Sequence, residues 1–405
     1  MRIAHTRYAT ATIFTLAVGG LAVTGCTMAE PTTDQINEEF DGTIEHPTMR
    51  VCGGGNFECK AHVVLDENNR IRPFALPAGL GPADLVSAYK LNAAITSTAT
   101  IAIIDAFHYA NAASDLATYR STFGLPPCTV ASGCLTILNP TNAKAPPAGD
   151  DWNLEAALDL DMASAACPTC KLVLVEATDD QGNDLFSEQN TAAARAGVVS
   201  ISNSWGGPSS SSDASFETFF NHTQNVNTFV SSGDSGNTGS TGDYPSTSEF
   251  VIAAGGTHLV KSTTAARGWT ETVWSGAGST CSSRLAEPSF QVGTVPAAAC
   301  TRRAASDISA VADPNTGVAV FNANDGGFIV VGGTSASSPF LAGVFARYGI
   351  SGAAHNASFA YSHKTAWFDV TSGRNGSCRS ALCRAAAGWD GPTGLGTPNG
   401  AVLAP

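Results

Sequence analysis

The sequence predicts an α/β fold in which a doubly wound, mostly parallel sheet is flanked by helices. Short runs of β-branched and other apolar residues recur along the chain, and alanine-rich stretches of helical length separate them. This alternation is typical of parallel sheets, because parallel neighbours must be joined by a crossover segment. Hydrophobic residues make up 43% of the 405 residues and charged residues only 14%, enough for a large core. The predicted strands are 101–104, 172–175, 198–201 and 250–253, and the predicted helices include 116–123 and 190–196.

The N-terminus has the pattern of an export signal. Arg2 and Arg7 precede an apolar run over 13–23, which is too short to span a membrane. The sequence Val-Thr-Gly-Cys ending at Cys26 resembles the processing site of bacterial lipoproteins, so residues 1–25 are predicted to be a lipoprotein-type signal peptide. The alternative is an ordinary signal peptide cleaved further on, for example after Ala29. Both alternatives predict an exported protein, extracellular or on the cell surface.

Residues 26–80 are predicted to form an acidic tether and a small N-terminal extension. The stretch 27–50 is polar and acidic with few large apolar side chains, as expected of a tether. The stretch 52–77 is compatible with a small hairpin that turns at 66–69. The main domain is predicted to comprise residues 81–405.

The cysteines indicate an oxidising compartment. The chain has 11 cysteines, and setting aside Cys26 leaves an even number. The pair Cys167 and Cys170 is a C-x-x-C that redox or zinc chemistry also uses, but no second such pair accompanies it. Local spacing suggests the disulfides Cys52–Cys59, Cys128–Cys134, Cys167–Cys170, Cys281–Cys300 and Cys378–Cys383.

Two carboxylates lie one turn apart on a predicted apolar helix. Glu155 and Asp159 are separated by four residues and share a face, and Asp150 or Asp151 can cap the helix. Apolar residues surround them nearly all round, so the helix should be buried. A buried acid must be paired, protonated or functional. Alone, the pattern is also compatible with an unrelated surface Glu and Asp.

A third acid follows a predicted strand over 229–231. This strand ends in Gly-Asp-Ser-Gly, which places Asp234 at the carboxyl end, where α/β sheets build their sites. An ordinary Asp-containing turn is the alternative.

A serine lies between a predicted strand over 328–331 and a predicted helix over 340–346. Ser335 follows a Gly-Gly turn, so unpaired N–H groups and the positive end of the helix dipole would face a substrate carbonyl. Pro339 fits the first turn of such a helix, which does not need its N–H. A serine-rich helix cap is the alternative interpretation.

Taken together, the three motifs resemble those of the sedolisins, or serine-carboxyl peptidases, which have a subtilisin-like fold. That family has Glu-x-x-x-Asp, then Ser-Gly-Asp, then Gly-Thr-Ser-x-x-x-Pro, in the order found here. None of the eight histidines lies in the H-G-T-H setting that subtilisins use. The resemblance implies that Ser335 is the nucleophile, Glu155 the general base and acid, and Asp159 the residue that orients Glu155. It makes Asp234 a side-chain donor in the oxyanion hole.

The resemblance extends from about Gly81 to the C-terminus and implies further site residues. Asp105 stands where some sedolisins have an acid that extends the Glu-Asp network, and Trp205 resembles a tryptophan near it. Either could instead be structural. The C-terminal motifs resemble a calcium site for one ion, a hard cation that prefers oxygen ligands. The implied ligands are the carboxylates of Asp369 and Asp390 and the carbonyls of Val370, Ala386 and Gly388.

These roles predict an endopeptidase active in acid solution. A carboxyl group that donates a hydrogen bond must be protonated, and a rise in pH ionises it. We expect protein or peptide substrates, a monomer, and membrane contact only through a lipid anchor. A net charge of −13 argues against nucleic acid. The stretch before Gly81 is shorter than the long propeptide of many sedolisins, which leaves self-cleavage open.

Two alternatives belong to other functional classes. One is a catalytically inactive, calcium-stabilised surface lipoprotein with a binding role. The other is a glycosidase that uses Glu155 and Asp159 as its acid pair, although two acids on one helix are poorly placed to flank a sugar. The glycosidase alternative also leaves Ser335 without a role.

Overall fold

The computed structural model describes residues 40, 44–53, 55–222, 225–350 and 356–403. The predicted signal peptide, Cys26 and the part of the predicted tether before residue 40 lie outside these residues. Among the helices described, none is long and apolar enough to cross a membrane.

The described residues form strands and helices throughout the predicted main domain and the extension before it. The strands are β1 (Thr48–Arg50), β2 (Glu58–Cys59), β3 (His62–Val64), β4 (Thr100–Ala106), β5 (Leu135–Leu138), β6 (Lys171–Ala177), β7 (Val198–Asn203), β8 (Trp205–Pro208), β9 (Asn227–Ser231), β10 (Asn237–Gly239), β11 (Asp243–Tyr244), β12 (Ile252–Lys261), β13 (Trp269–Val273), β14 (Ser279–Ala286), β15 (Arg302–Ala305), β16 (Ile308–Val311), β17 (Val318–Asn322), β18 (Gly327–Gly332), β19 (Trp367–Phe368) and β20 (Thr397–Pro398). The α-helices are α1 (Pro82–Ala88), α2 (Ala112–Thr122), α3 (Trp152–Ala166), α4 (Asn183–Ala193), α5 (Asp213–Phe216), α6 (Thr334–Tyr348) and α7 (Ser358–Ser362).

The central sheet confirms the predicted fold class. Its strand order is β13-β12-β9-β7-β4-β6-β5, with β16 also paired to β12. Every pairing in it is parallel except that of β12 with β13. Helices lie in the connections from β4 to β5, β5 to β6, β6 to β7 and β7 to β9, as crossovers between parallel strands require. Strand β4 lies inside the sheet, between β7 and β6, and is buried along its whole length, which explains its apolar run over 101–104.

Several element boundaries differ from the prediction, and the predicted helices over 116–123 and 340–346 are α2 (Ala112–Thr122) and α6 (Thr334–Tyr348). The predicted strand over 250–253 starts only at Ile252 but continues to Lys261, where it pairs with β13. The predicted helix over 190–196 is the end of α4, which stops at Ala193. Gly197, with φ 86°, makes the turn into β7.

Helices α3 and α6 pack against each other at short distance. All residues of α6 are buried, and so are all but one of α3, as expected of helices that are apolar nearly all round. Gly343 permits the approach, because a Cβ there would lie 2.6 Å from the Cβ of Ala166. The two helices carry the predicted carboxylates and the predicted serine, respectively.

The N-terminal extension joins two sheets of the main domain. One sheet has the order β1-β3-β18-β17, and a second has the order β11-β8-β2. The predicted turn at 66–69 lies between Leu65 and Ile71, which form an antiparallel bridge. The five disulfides suggested by spacing are confirmed.

Candidate active site

The predicted site residues lie at the carboxyl edge of the central sheet. Asp105 is near the end of β4, and Asp234 follows β9. Trp205 is the second residue after β7 and the first residue of β8. Helices α3 and α6 bring Glu155 and Ser335 to the same edge. Loops and helix N-termini meet at this edge in parallel sheets, so side chains distant in sequence converge there.

Ser335 is the second residue of α6 and is fully buried. Gly333, with φ 101°, forms the turn between β18 and the helix. The N–H of Ser335 belongs to the first turn of α6 and therefore has no acceptor within the helix. The N–H donates instead to the carbonyl of Lys60 at 2.9 Å, and the Oγ donates to the carbonyl of Ser204 at 3.2 Å.

Glu155 and Asp159 are buried side by side on α3. Asp151 caps the helix, since its side chain accepts from the N–H of Leu154 at 3.1 Å. Burial raises the pKa of Glu155 and of Asp159 well above their ordinary values, and the charge of Asp105 raises both further. Neither oxygen of Glu155 accepts a hydrogen bond of ordinary geometry, yet the Ser335 hydroxyl is near enough to lower its pKa. This pair can share a proton and pass one to or from Ser335.

Ser204 joins the carboxylate pair to the serine helix. Its Oγ lies 2.8 Å from both oxygens of Asp159 and donates at 3.4 Å to the carbonyl of Ser335. That carbonyl needs a partner because Pro339 has no N–H for it. Our placement of Pro339 in the first helical turn is wrong, because α6 begins at Thr334 and Pro339 lies inside it.

Asp105 is buried with no hydrogen bond to either carboxylate oxygen. Burial, followed by the charge of Glu176 opposite it in β6, raises its pKa to about 8. Glu176 itself accepts from the N–H of Tyr109 at 3.0 Å and lies 2.8 Å from Nδ1 of His108. Asp105 therefore holds its proton to a higher pH than an ordinary aspartate, and it joins Glu155 and Asp159 in one group of interacting buried acids.

Trp205 is buried beneath this group of acids. Its indole N–H donates to the carbonyl of Ile104 at 2.9 Å, and its ring packs edge-on against Phe57 and Phe186. The hydrogen bond ties β8 to β4 just before Asp105. Its polar atom thus contacts the strand rather than the carboxylates.

Asp234 is oriented by the residue before the serine. Its Oδ1 accepts from the N–H and the Oγ1 of Thr334 at 2.9 and 2.8 Å. Its buried Oδ2 has no hydrogen-bond partner and lies 3.6 Å from Nε2 of His62. Burial raises the pKa of Asp234, while the charge of His62 and the bonds from Thr334 act in the opposite direction. A proton on this group would therefore reside on Oδ2.

The N-terminal extension runs through the site, which the sequence did not predict. Strand β2 pairs antiparallel with β8, and β3 pairs antiparallel with β18. Between them, the N–H of Lys60 donates to the carbonyl of Ser204 at 2.9 Å. The Sγ atoms of Cys52 and Cys59 and an oxygen of Glu155 lie within 4.8 Å of one another. Since those cysteines form a disulfide, they are not available as metal ligands.

The acids of the C-terminal motifs lie near each other, with Asp390 buried and Asp369 exposed. Asp390 is fully buried, and its Oδ1 accepts from the N–H and Oγ1 of Thr393 at 2.9 and 2.8 Å. Its Oδ2 accepts from the N–H of Ala386 at 3.1 Å, and Asp369 accepts from the N–H of Gly388 at 2.9 Å. Burial raises the pKa of Asp390 to about 7, and the charge of Asp369 contributes. Two neighbouring carboxylates within a tight backbone loop are a donor set that suits a hard cation.

Four residues near the site were not recognised from the sequence. Ser204 lies in the segment Ser-Asn-Ser-Trp-Gly-Gly over 202–207, directly before Trp205, and this adjacency is a signal that could have identified it. Lys60, His62 and Asp243 have no local signal, because their contacts join segments that are distant in sequence.

Comparison with known proteins adds independent findings. The model of the subtilase family matches residues 148–350, half of the chain. Kumamolisin from Bacillus sp. (strain MN-32) is 30% identical over 361 residues, covering 81% of this chain and 64% of kumamolisin. Sedolisin from Pseudomonas sp. (strain 101) is 27% identical over 379 residues, covering 84% of this chain and 63% of that protein. The chain therefore spans somewhat less than two thirds of the length of these two relatives.

A solved structure is similar along nearly its entire length. It is Pseudomonas sedolisin, a serine-carboxyl proteinase complexed with two molecules of pseudo-iodotyrostatin. The TM-score is 0.66 at 26% sequence identity, and the match covers 81% of this chain and 98% of that chain.

Proposed function

The chain belongs to the sedolisin family of the subtilase fold, and on this premise we propose that it is a serine-carboxyl peptidase active in acid solution. Its substrates are proteins or peptides, cleaved internally. The observation that carries the proposal is the burial of Glu155 and Asp159, side by side, next to Ser335 at the start of a helix.

In the proposed mechanism, Glu155 takes the proton of Ser335 as Oγ attacks the substrate carbonyl carbon. Asp159 shares a proton with Glu155 and thereby holds its orientation. Ser204 affects how the proton is shared between Glu155 and Asp159, because its hydrogen bond lowers the pKa of Asp159. Glu155 then gives the proton to the leaving amine, and water completes the hydrolysis by the reverse sequence of transfers.

The oxyanion receives two donors in this proposal. One is the N–H of Ser335, and the other is protonated Oδ2 of Asp234. A Cβ at Gly333 would lie 2.7 Å from this Oδ2 and 2.1 Å from the Lys60 carbonyl oxygen, so both atoms border the same small space. That space is where a substrate carbonyl would develop its charge. Acid solution keeps Asp234 protonated and thus able to donate.

A calcium ion is proposed at the C-terminal loop. Asp369 and Asp390 would hold it with the carbonyls of Val370, Ala386 and Gly388. The ion would supply charge compensation for two adjacent carboxylates and clamp the loop. It lies outside the proposed peptide chemistry.

Export is proposed from the N-terminal pattern and the disulfides. Five disulfides in one chain suit an oxidising compartment. The signal peptide and the lipid anchor at Cys26 remain predictions from the sequence, as do the monomeric state and the domain limits.

The test is digestion of a denatured protein between about pH 3 and 5 by the wild type, Ser335→Ala and Glu155→Gln. Both variants should lose at least about a thousandfold in rate, because each removes a member of one catalytic unit. The matched controls are Ser338→Ala, a buried serine of the same helix, and Asp161→Asn, a buried acid of α3. Both controls should retain activity.

The alternatives are separated by the same digestion. Internal fragments of many lengths indicate endopeptidase action, whereas uniform short products from the N-terminus contradict it. Undiminished cleavage by Ser335→Ala would remove the serine from the mechanism. A folded wild type that cleaves nothing would favour the inactive binding protein.

A further inference from the structure

We propose that the cleft selects a lysine or arginine immediately before the bond to be cleaved, and that Asp243 is the residue that reads it. Lys60 of the N-terminal extension is the intramolecular occupant of this position. The inference rests on the proposed peptidase function and adds its substrate class.

The backbone of the extension defines the position of Lys60. In an acyl transfer, the carbonyl that accepts the N–H of the nucleophilic residue is the one presented for attack. Here that carbonyl belongs to Lys60, at 2.9 Å from the N of Ser335. The Lys60 N–H is fixed at the same time by the carbonyl of Ser204, also at 2.9 Å. The Lys60–Ala61 peptide bond is therefore the one aligned with Ser335.

The flanking residues extend this alignment on both sides. Glu58 and Cys59 pair with Gly206 and Trp205 on the side before the bond. On the side after it, His62 and Val63 pair with β18, the strand that leads to the serine. An extended peptide held on both sides by strand pairing is a general mode of peptide recognition.

The side chain of Lys60 identifies the specificity. It is buried, which lysine rarely is without a partner, and its Nζ lies 2.7 Å from Oδ2 of Asp243. Asp243 is in β11, the strand beside β8 that the main domain contributes. Asp243 therefore belongs to the wall of the cleft, and Lys60 belongs to the segment that occupies the cleft.

Glycines shape the space around this ion pair. A Cβ at Gly206 would lie 3.2 Å from the Cβ of Asp243 and 3.5 Å from Cε of Lys60. A Cβ at Gly233 would lie 2.9 Å from Oδ2 of Asp243. The absence of side chains at both positions leaves room for a long, unbranched stem to reach the carboxylate.

The reaction on this occupant balances as ordinary hydrolysis. Ser335 Oγ bonds to the carbonyl carbon of Lys60, and its proton passes by way of Glu155 to the nitrogen of Ala61 as the C–N bond breaks. Water then displaces Oγ and returns a proton to it. The products are a chain that ends in the carboxylate of Lys60 and a chain that begins with the amine of Ala61.

The first experiment compares peptides that differ only in the residue before the cleaved bond: Lys, Arg, Leu or Glu. They are digested by the full chain at about pH 5, and kcat/KM is measured for each. The wild type should favour Lys and Arg over Leu by about 30-fold or more, as expected for a desolvated charge pair. Asp243→Asn should lose this preference, so that the ratio of kcat/KM for the Lys peptide to that for the Leu peptide falls to about one.

The matched control is Asp84→Asn. Asp84 also pairs with a lysine, Lys261 at 2.8 Å, whose side chain is exposed. This variant should keep the preference of the wild type. Equal cleavage of Lys and Leu peptides by the wild type overturns the inference, and so does an Asp243→Asn variant that loses both rates equally.

A second experiment follows the chain itself. Incubation of the full chain in acid, followed by N-terminal sequencing, should give a new N-terminus at Ala61 in the wild type and not in Lys60→Glu. Absence of this N-terminus in an active wild type overturns the assignment of Lys60. If the wild type cleaves no peptide of any kind, it is the proposed peptidase function that fails.

Discussion

Replacing Asp234 by asparagine should remove most of the decline in activity as the pH rises toward neutrality. Asparagine keeps a carbonyl oxygen in place of Oδ1, so the two hydrogen bonds from Thr334 can still orient the side chain. Its NH₂ replaces Oδ2, the atom next to the space for the oxyanion. The amide donates at every pH, whereas the carboxyl donates only when it is protonated.

The magnitude follows from the sign of the pKa shift. Burial raises the pKa of Asp234, so the wild type has its donor at low pH and loses it as the pH rises through that pKa. Loss of one oxyanion donor costs about 100-fold to 1,000-fold in rate. The ratio of the variant's kcat/KM to that of the wild type should therefore increase by about 100-fold between about pH 4 and 7.

The assay is a pH profile of kcat/KM for the wild type, Asp234→Asn and a control, on one peptide. Asp115→Asn is the control, because Asp115 is also buried and accepts from a backbone N–H and a hydroxyl. Its profile should match the wild type. Parallel profiles for Asp234→Asn and the wild type would refute the proposed donor role, because the decline in kcat/KM toward neutral pH would then come from the ionisation of another group.

Three further predictions follow from the same contacts. Asp105→Asn should flatten the pH dependence of stability, because the raised pKa of Asp105 stabilises the folded wild type below about pH 4 and this contribution is lost as the pH approaches 8. In urea unfolding across this range, the free energy of unfolding of the variant should change less steeply with pH, by up to about 1.4 kcal/mol per pH unit. An unchanged slope contradicts the shift. Ser204→Ala should lower kcat/KM about tenfold and move the rise of the pH profile on its acidic side to higher pH. The reason is that the Ser204 hydrogen bond lowers the pKa of Asp159, so its removal raises that pKa. A pH profile that shows only a lower rate contradicts this. EDTA should lower the melting temperature of the wild type and leave Asp390→Asn unchanged, and equal effects on both chains would exclude calcium at this loop.

The sequence was informative where the residues of a functional motif lie within one short segment. Glu155 and Asp159 lie on one helix face whatever surrounds them, and Ser335 follows its glycine turn directly, so both motifs could be identified locally. The parallel sheet was predictable for the same reason, because each strand such as β4 has its own unbroken apolar run. The helix boundaries depended on single turn residues and were less accurate.

The contacts that complete the site were not predictable from local pattern. Ser204 meets Asp159 only because the fold brings the residue after β7 to α3, and Pro339 lies inside α6 only because that helix begins at Thr334. Lys60 and Asp243 come from segments with no shared motif, and only the folded sheet places them in contact. Tertiary packing, rather than propensity, determines these pairs.

The strand pairing of the extension also sets a kinetic condition for any free peptide. Lys60 occupies the acceptor position opposite the Ser335 N–H as part of the same molecule. Such a tethered competitor acts at an effective concentration that is of millimolar order for short flexible connections. Dilution of the protein does not reduce it, so a KM measured on the uncleaved chain includes this internal competition.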